Sequence, residues 1–159
     1  MTEVLRTARL TLRPVGAGDL AWLAAHWTAP DVRRFLFDGE APDTAEIEEV
    51  IADGHSPLWV IVAGGTAIGV AGLRPLEELG PEVYYSLAPE VWGRGYATEA
   101  ARAVVEHALG PMGLPEVLAE VDEGNTASLA VVERLGMAPF EKVAGLLGPM
   151  IRYRVTVQR

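Results

Sequence analysis

The chain contains no cysteine. Disulfides, thiolate metal sites and covalent thiol mechanisms are therefore excluded, and any chemistry must run on oxygen, nitrogen or bare backbone groups. A basic surplus is also missing, since 13 Lys and Arg stand against 22 Asp and Glu, for a formal charge of −9. Broad contact with nucleic acid or anionic lipid needs the opposite balance, so neither is an expected partner. Acidity of this kind serves solubility first and favours a cationic substrate second. Aromatic residues make up 7% of the chain and apolar residues 50%, a mixture suited to a globular protein rather than a disordered one. The opening MTEVLRTARL lacks the basic-then-apolar architecture of an export signal, so a cytoplasmic location is expected. At 159 residues, with no repeat, low-complexity segment or linker, one domain over residues 1–159 is expected.

Two further gaps narrow the chemistry. The histidines at 26, 55 and 107 show no short metal-ligand spacing, so no metal is expected. Nowhere does Gly-Lys-Ser/Thr follow a glycine by four residues, which removes the P-loop. A long charge-free run does exist, from His55 to Leu73, with nearly the length of a membrane span. Gly64-Gly65 sits between β-branched runs, however, and Gly69 and Gly72 follow; such glycines weaken a helix and suit a hairpin of two buried strands, roughly Leu58–Ala63 and Thr66–Leu73.

Before this hairpin, Arg9–Val15 alternates Arg9, Thr11 and Arg13 with Leu10 and Leu12, the period of a half-buried strand. A helix is expected from Asp19, a short helical piece over Asp31–Asp38, and a third helix behind an Asp43/Glu46 capping box and running to about Asp53. After the hairpin, Glu82–Leu87 (EVYYSL) reads as a fourth strand. Ala97, Ala101, Val104, Val105 and Ala108 form one apolar helical stripe, with Glu99, Arg102 and Glu106 expected to face away and Gly110-Pro111 ending the helix. A fifth strand over Pro115–Val121, a capped helix over Asn125–Leu135 with Gly136 behind it, and strands over Phe140–Ala144 and Ile151–Val157 complete an α+β order.

The segment EVWGRGYATEA joins the fourth strand to the striped helix. Unpaired amides at a helix start, together with the peptide dipoles, favour an anion. Gly93 and Gly95 permit positive φ and close approach of a ligand, and Arg94 adds a donor that can fork onto phosphate. The dinucleotide pattern fails because Thr98 stands at its last glycine. A plain helix start and a pyrophosphate loop both remain open from these residues. Further on, Asn125 reads as an N-cap with Ser128 three residues later, which by itself is equally a local cap.

Taken together, TARLTLRP, EVYYSLAPEVWGRGYATEA and EGNTASLAVVERLGM resemble the GNAT acetyltransferase superfamily over nearly the whole chain, most of all its RimJ/RimL ribosomal-protein branch. Trp92 stands where many members of the superfamily have Gln or Arg, and Met137 where Phe is commoner. The resemblance implies a mixed, mostly antiparallel sheet of six to seven strands flanked by helices and splayed between the fourth and fifth strands. It implies acetyl-CoA in that cleft, with the backbone of Leu87 pairing with the pantetheine, the amides of Gly93, Arg94, Gly95, Tyr96, Ala97 and Thr98 taking the pyrophosphate, and Asn125 contacting pantetheine or acetyl. By the same resemblance Ser128 would protonate the leaving thiolate and Glu82 would act as base, with Glu120 and Glu123 as weaker candidates. Trp22, Trp27, Phe35 and Phe37 lie on early segments that overhang the acceptor cleft in relatives, although core packing is their commoner role. The expected activity is direct transfer of an acetyl group to a primary amine, a protein N-terminus or a small metabolite. The alternative is an acyl-CoA-binding sensor without catalysis. Exposed strand edges would allow a homodimer.

Overall fold

A computed structural model describes residues 3–33, 42–53 and 56–157. Phe35, Phe37, His55 and most of the expected helical piece over Asp31–Asp38 lie outside the described residues. The elements are β1 (Leu5–Arg6), β2 (Thr11–Pro14), α1 (Leu20–Thr28), α2 (Pro30–Arg33), α3 (Thr44–Ala52), β3 (Leu58–Ala63), β4 (Thr66–Leu76) and β5 (Gly80–Leu87). They continue with α4 (Tyr96–Leu109), β6 (Glu116–Asp122), α5 (Thr126–Arg134), β7 (Ala138–Gly145) and β8 (Gly148–Thr156).

Among the described residues all the strands join one sheet of eight in the order β1-β2-β3-β4-β5-β6-β8-β7, with β5 and β6 parallel and the other neighbours antiparallel. The resemblance implies six or seven strands. The additional strand is β1, two residues long, which pairs Leu5 with Leu12 and Arg6 with Thr11 and is too short to carry an alternation signal. The first expected strand is correspondingly trimmed to Thr11–Pro14, because Thr7 to Leu10 forms a turn closed by a Thr7 amide bond to the Leu10 carbonyl at 2.9 Å.

The charge-free run becomes β3, a tight turn and β4. Gly64 and Gly65 take φ of 56° and 81°, the pair of positive values that a two-residue hairpin turn requires. Among the described residues no helix is long and apolar enough to cross a membrane. Strand β3 is apolar throughout because both of its faces are covered. Trp59 and Ile61 pack with α4 and α5, while Leu58 and Val60 pack with α1 and α3. The expected capping box is present at α3, where the Asp43 side chain accepts from the Glu46 amide at 2.8 Å. The apolar stripe of α4 buries Ala101, Val104, Val105 and Ala108 against the sheet. On the other face, Leu23 and Trp27 of α1 and Ile47 of α3 meet Val60, Val70 and Tyr84. Helices on both faces leave the parallel β5–β6 junction in the middle of the molecule.

Candidate active site

Strands β5 and β6 share one registered pair, Glu82 opposite Leu118. The chain leaves β5 through α4 before returning as β6, and beyond that pair the strands part. This is the splay expected between the fourth and fifth sequence strands. Leu87 ends β5 on the open side. The Ala88 amide donates to the Ile68 carbonyl of β4 at 2.8 Å, so strand alternation turns the N–H and C=O of Leu87 away from β4 and into the gap. Its carbonyl accepts from the Trp92 indole N–H at 2.8 Å, and its amide has no acceptor among the described residues.

The start of α4 lies past the end of β5. Gly95 is its N-cap in the left-handed region, at φ 81° and ψ 6°, and has no side chain to cap with. The amides of Gly95, Tyr96, Ala97 and Thr98 have no acceptor among the described residues; the first loop–helix bond runs from the Glu99 amide to the Gly95 carbonyl at 3.1 Å. Gly93, Arg94 and Gly95 are exposed, and the Arg94 guanidinium makes a long 3.4 Å bond to the Glu90 carbonyl. Uncapped donors at the positive end of a helix of 14 residues suit a diphosphate. Free amides, a side-chain-free cap and an open strand edge therefore fit coenzyme A.

A model described as an acetyltransferase (GNAT) domain matches residues 9–138. The chain belongs to the GNAT acetyltransferase family. Its members are acyltransferases with acetyl-CoA as donor. The uncharacterised N-acetyltransferase p20 of Bacillus licheniformis is 25% identical over 162 residues, covering 91% of each chain. The spermidine N-acetyltransferase of Vibrio cholerae, solved with coenzyme A and spermine, has a TM-score of 0.82 at 19% identity over 94% of this chain and 96% of that one. RimL, a ribosomal-protein α-N-acetyltransferase solved with coenzyme A, has a TM-score of 0.84 at 14% identity over 98% of each chain. Those two likenesses speak to the fold.

Within this GNAT fold, Asn125 caps α5, its Oδ1 accepting from the Ser128 amide at 3.2 Å. The Ser128 hydroxyl accepts from the Tyr85 hydroxyl at 3.0 Å. Tyr85 escapes sequence reasoning because it stands inside the fourth sequence strand, 43 positions before Ser128. The available signal is the alternation of EVYYSL, which turns Val83, Tyr85 and Leu87 toward the face covered by α4 and α5. Burial raises the Tyr85 pKa, against a smaller lowering by the Ser128 bond, so the phenol stays protonated at neutral pH.

Glu82 lies apart from that pair. It sits at the closed end of the gap, and alternation puts it with Tyr84 on the opposite face of the sheet. Its side chain is only 8% exposed and is bonded to the Arg74 guanidinium at 2.8 Å. Burial is the largest influence and raises its pKa above the usual glutamate value, with Arg74 pulling the other way. Glu120 is held by Arg152 at 2.8 Å and Glu123 by Lys142 at 2.9 Å.

The two described early aromatics both pack with the core on the α1 and α3 face. Trp27 is 1% exposed and donates its indole N–H to Ser86 at 3.1 Å, while Trp22 stacks on His26 with ring centroids 5.1 Å apart. His26 Nε2 also meets Ser86, at 3.0 Å, and burial lowers its pKa, which favours the neutral ring. His107 packs edge-on to Trp59.

Off the apolar stripe of α4, Arg102 and Glu106 are exposed, while Glu99 binds Arg9 at 2.7 Å and takes a hydrogen bond from Thr7. Those partners are about ninety positions away, so helical periodicity alone could not supply them.

Proposed function

We propose that this protein is an acetyl-CoA-dependent N-acetyltransferase of the RimJ/RimL type that moves an acetyl group directly to a primary amine. The observation carrying this reading is the gap between β5 and β6 with the uncapped amides of α4 at its mouth. Acetyl-CoA supplies an activated thioester. On this reading the amides from Gly93 to Thr98 hold the diphosphate, with Arg94 free to reach it, and the Leu87 amide bonds the pantetheine arm in the manner of an added strand. Asn125 fixes the start of α5 and so aims Ser128 at the sulfur.

The new bond joins the amine nitrogen to the acetyl carbonyl carbon as the carbon–sulfur bond breaks. Amines are mostly protonated near neutrality, so a base must first remove a proton. Glu82, whose proton affinity is raised by burial, accepts it directly or through water. Ser128 donates its proton to the departing sulfur and recovers one from the Tyr85 hydroxyl that already points at it, and the second proton that the amine nitrogen sheds as the amide forms returns through solvent to Tyr85. Direct transfer needs no thiol nucleophile, in keeping with a chain that has no cysteine.

Two amine classes are consistent with these neighbours, a polyamine and a protein N-terminus. The charge of −9 favours acceptors that carry further positive charge. The test is an acetyl-CoA thiol-release assay across polyamines, small amines and N-terminal peptides, with Ser128→Ala as control. Amine-dependent coenzyme A release that falls in the variant supports the reading. Tight acetyl-CoA binding without turnover on any amine would instead establish the non-catalytic sensor.

A further inference from the structure

The turn between β1 and β2 reaches across to the loop that precedes α4, and the bonds it makes there are specific. Arg9 Nε donates to Glu99 Oε1 at 2.7 Å and the Arg9 amide donates to Glu99 Oε2 at 2.9 Å. Thr7 donates its hydroxyl to the same Oε2. Arg9 Nη1 donates to the Arg94 carbonyl at 2.9 Å, and the guanidinium lies 4.4 Å from the centroid of the Tyr96 ring. Arg9 thus touches three successive points of the loop and first helical turn.

An exposed ion pair contributes little stability, and the Arg9 side chain keeps 46% of its exposure. Its geometry matters more than its strength. In a trans peptide the C=O of one residue and the N–H of the next point in opposite directions, and the described chain contains no cis bond. Holding the Arg94 carbonyl on Arg9 therefore holds the Gly95 N–H on the other side. This peptide unit is easily turned over, because Gly95 accepts either sign of φ. A turned peptide would present a carbonyl dipole where a donor is needed. Glu99 also places a carboxylate in the first turn of the helix that faces the anion, and Arg9 and Thr7 occupy both of its oxygens.

We propose that Arg9 is a positioning residue for the donor substrate: it locks the Arg94–Gly95 peptide so that the Gly95 amide faces the diphosphate, and it neutralises Glu99 beside that site. This rests on Gly93 to Thr98 being the diphosphate site. The clamp acts on the diphosphate end of the donor, not on the acceptor or on the chemical step.

The experiment compares wild type, Arg9→Met and Arg9→Lys, with acetyl-CoA and S-acetylpantetheine as probes. Calorimetry gives the acetyl-CoA Kd, steady-state kinetics give KM and kcat for each donor, and thermal melting reports the fold. Wild type should bind acetyl-CoA; if it does not, the functional reading itself fails. Given that binding, Arg9→Met should raise the Kd and KM for acetyl-CoA about tenfold, leaving kcat at saturating donor, the acceptor KM and the constants for S-acetylpantetheine, which has no diphosphate, unchanged. Arg9→Lys keeps the charge and a milder shape but cannot serve carboxylate and carbonyl together, so it should lose most of the same affinity. Unchanged acetyl-CoA affinity in both variants, or equal losses with both donors, would overturn the proposal.

Discussion

Replacing Gly95 with valine tests the phosphate loop most directly. Gly95 sits at φ 81°, a left-handed conformation that costs an ordinary L-residue about 1–2 kcal/mol and a β-branched one more. A Cβ there would lie 3.4 Å from Arg9 Nη2, so the two γ-methyls of valine would press on the guanidinium that holds the Arg94 carbonyl. The loop then either keeps its shape and absorbs the strain or relaxes to negative φ and re-aims its amides. Helix α4 stays docked in both cases, because Ala100, Ala101, Val104, Val105 and Ala108 remain buried downstream. A loss of about 2 kcal/mol leaves a typical domain folded. Each amide bond lost to a charged diphosphate contributes about 1.5–3 kcal/mol, or roughly 10- to 100-fold in Kd. Gly93→Val is the comparator, since Gly93 has nearly the same φ of 79° but open space where its Cβ would go. The expected result in calorimetric titration with acetyl-CoA is a loss of at least tenfold for Gly95→Val, larger than that for Gly93→Val, with a cooperative melt retained by both. A folded Gly95→Val protein with unchanged acetyl-CoA affinity would refute the assignment and return this stretch to an ordinary helix start.

Other consequences can be checked separately. Ser128→Ala should lower kcat by about 100-fold or more with little change in the acetyl-CoA KM, and adding Tyr85→Phe should cost little beyond that, because the tyrosine acts through the serine. An additive pair in that double-mutant cycle would show that the two hydroxyls work independently. Because burial raises the Glu82 pKa, kcat/KM should fall on the acid side at a pH above the ordinary glutamate range. Arg74→Met removes the partner that lowers this pKa and should move the limb to higher pH; an unmoved limb in the pH–rate profile would exclude Glu82 as the base. The same group binds its proton more tightly folded than unfolded, so its contribution to stability should decline as pH rises from the usual glutamate value through the elevated one, a trend that Glu82→Gln abolishes in chemical denaturation. Leu12 is fully buried between β2 and the α4 face, so Leu12→Ala should cost about 2–5 kcal/mol in the same measurement, and a loss below about 1 kcal/mol would show that this core repacks freely.

The parts of the fold that were legible in the sequence share a physical origin. The Gly64-Gly65 turn, the Asp43/Glu46 box, the Asn125 cap and the α4 stripe are set by backbone sterics and by hydrogen bonds between residues a few positions apart. Strand β1 was not legible, because two residues hold no period and owe their strand character to β2. The cofactor loop was half legible: its glycines showed that the backbone could expose amides, while its ligand came only from resemblance and then from the family match.

By itself, then, the sequence determined the element types, the turns and caps, and the glycines and polar residues that a coenzyme A site requires, because those depend on local backbone freedom and side-chain periodicity. Tertiary structure alone decided which groups meet. Tyr85 reaches Ser128 over 43 positions, and Arg9 reaches Arg94 over 85 and Glu99 over 90. Those meetings depend on sheet register and on the docking of α4 and α5 against β5 and β6. A displacement of one residue in β5 would turn Tyr85 to the opposite face of the sheet.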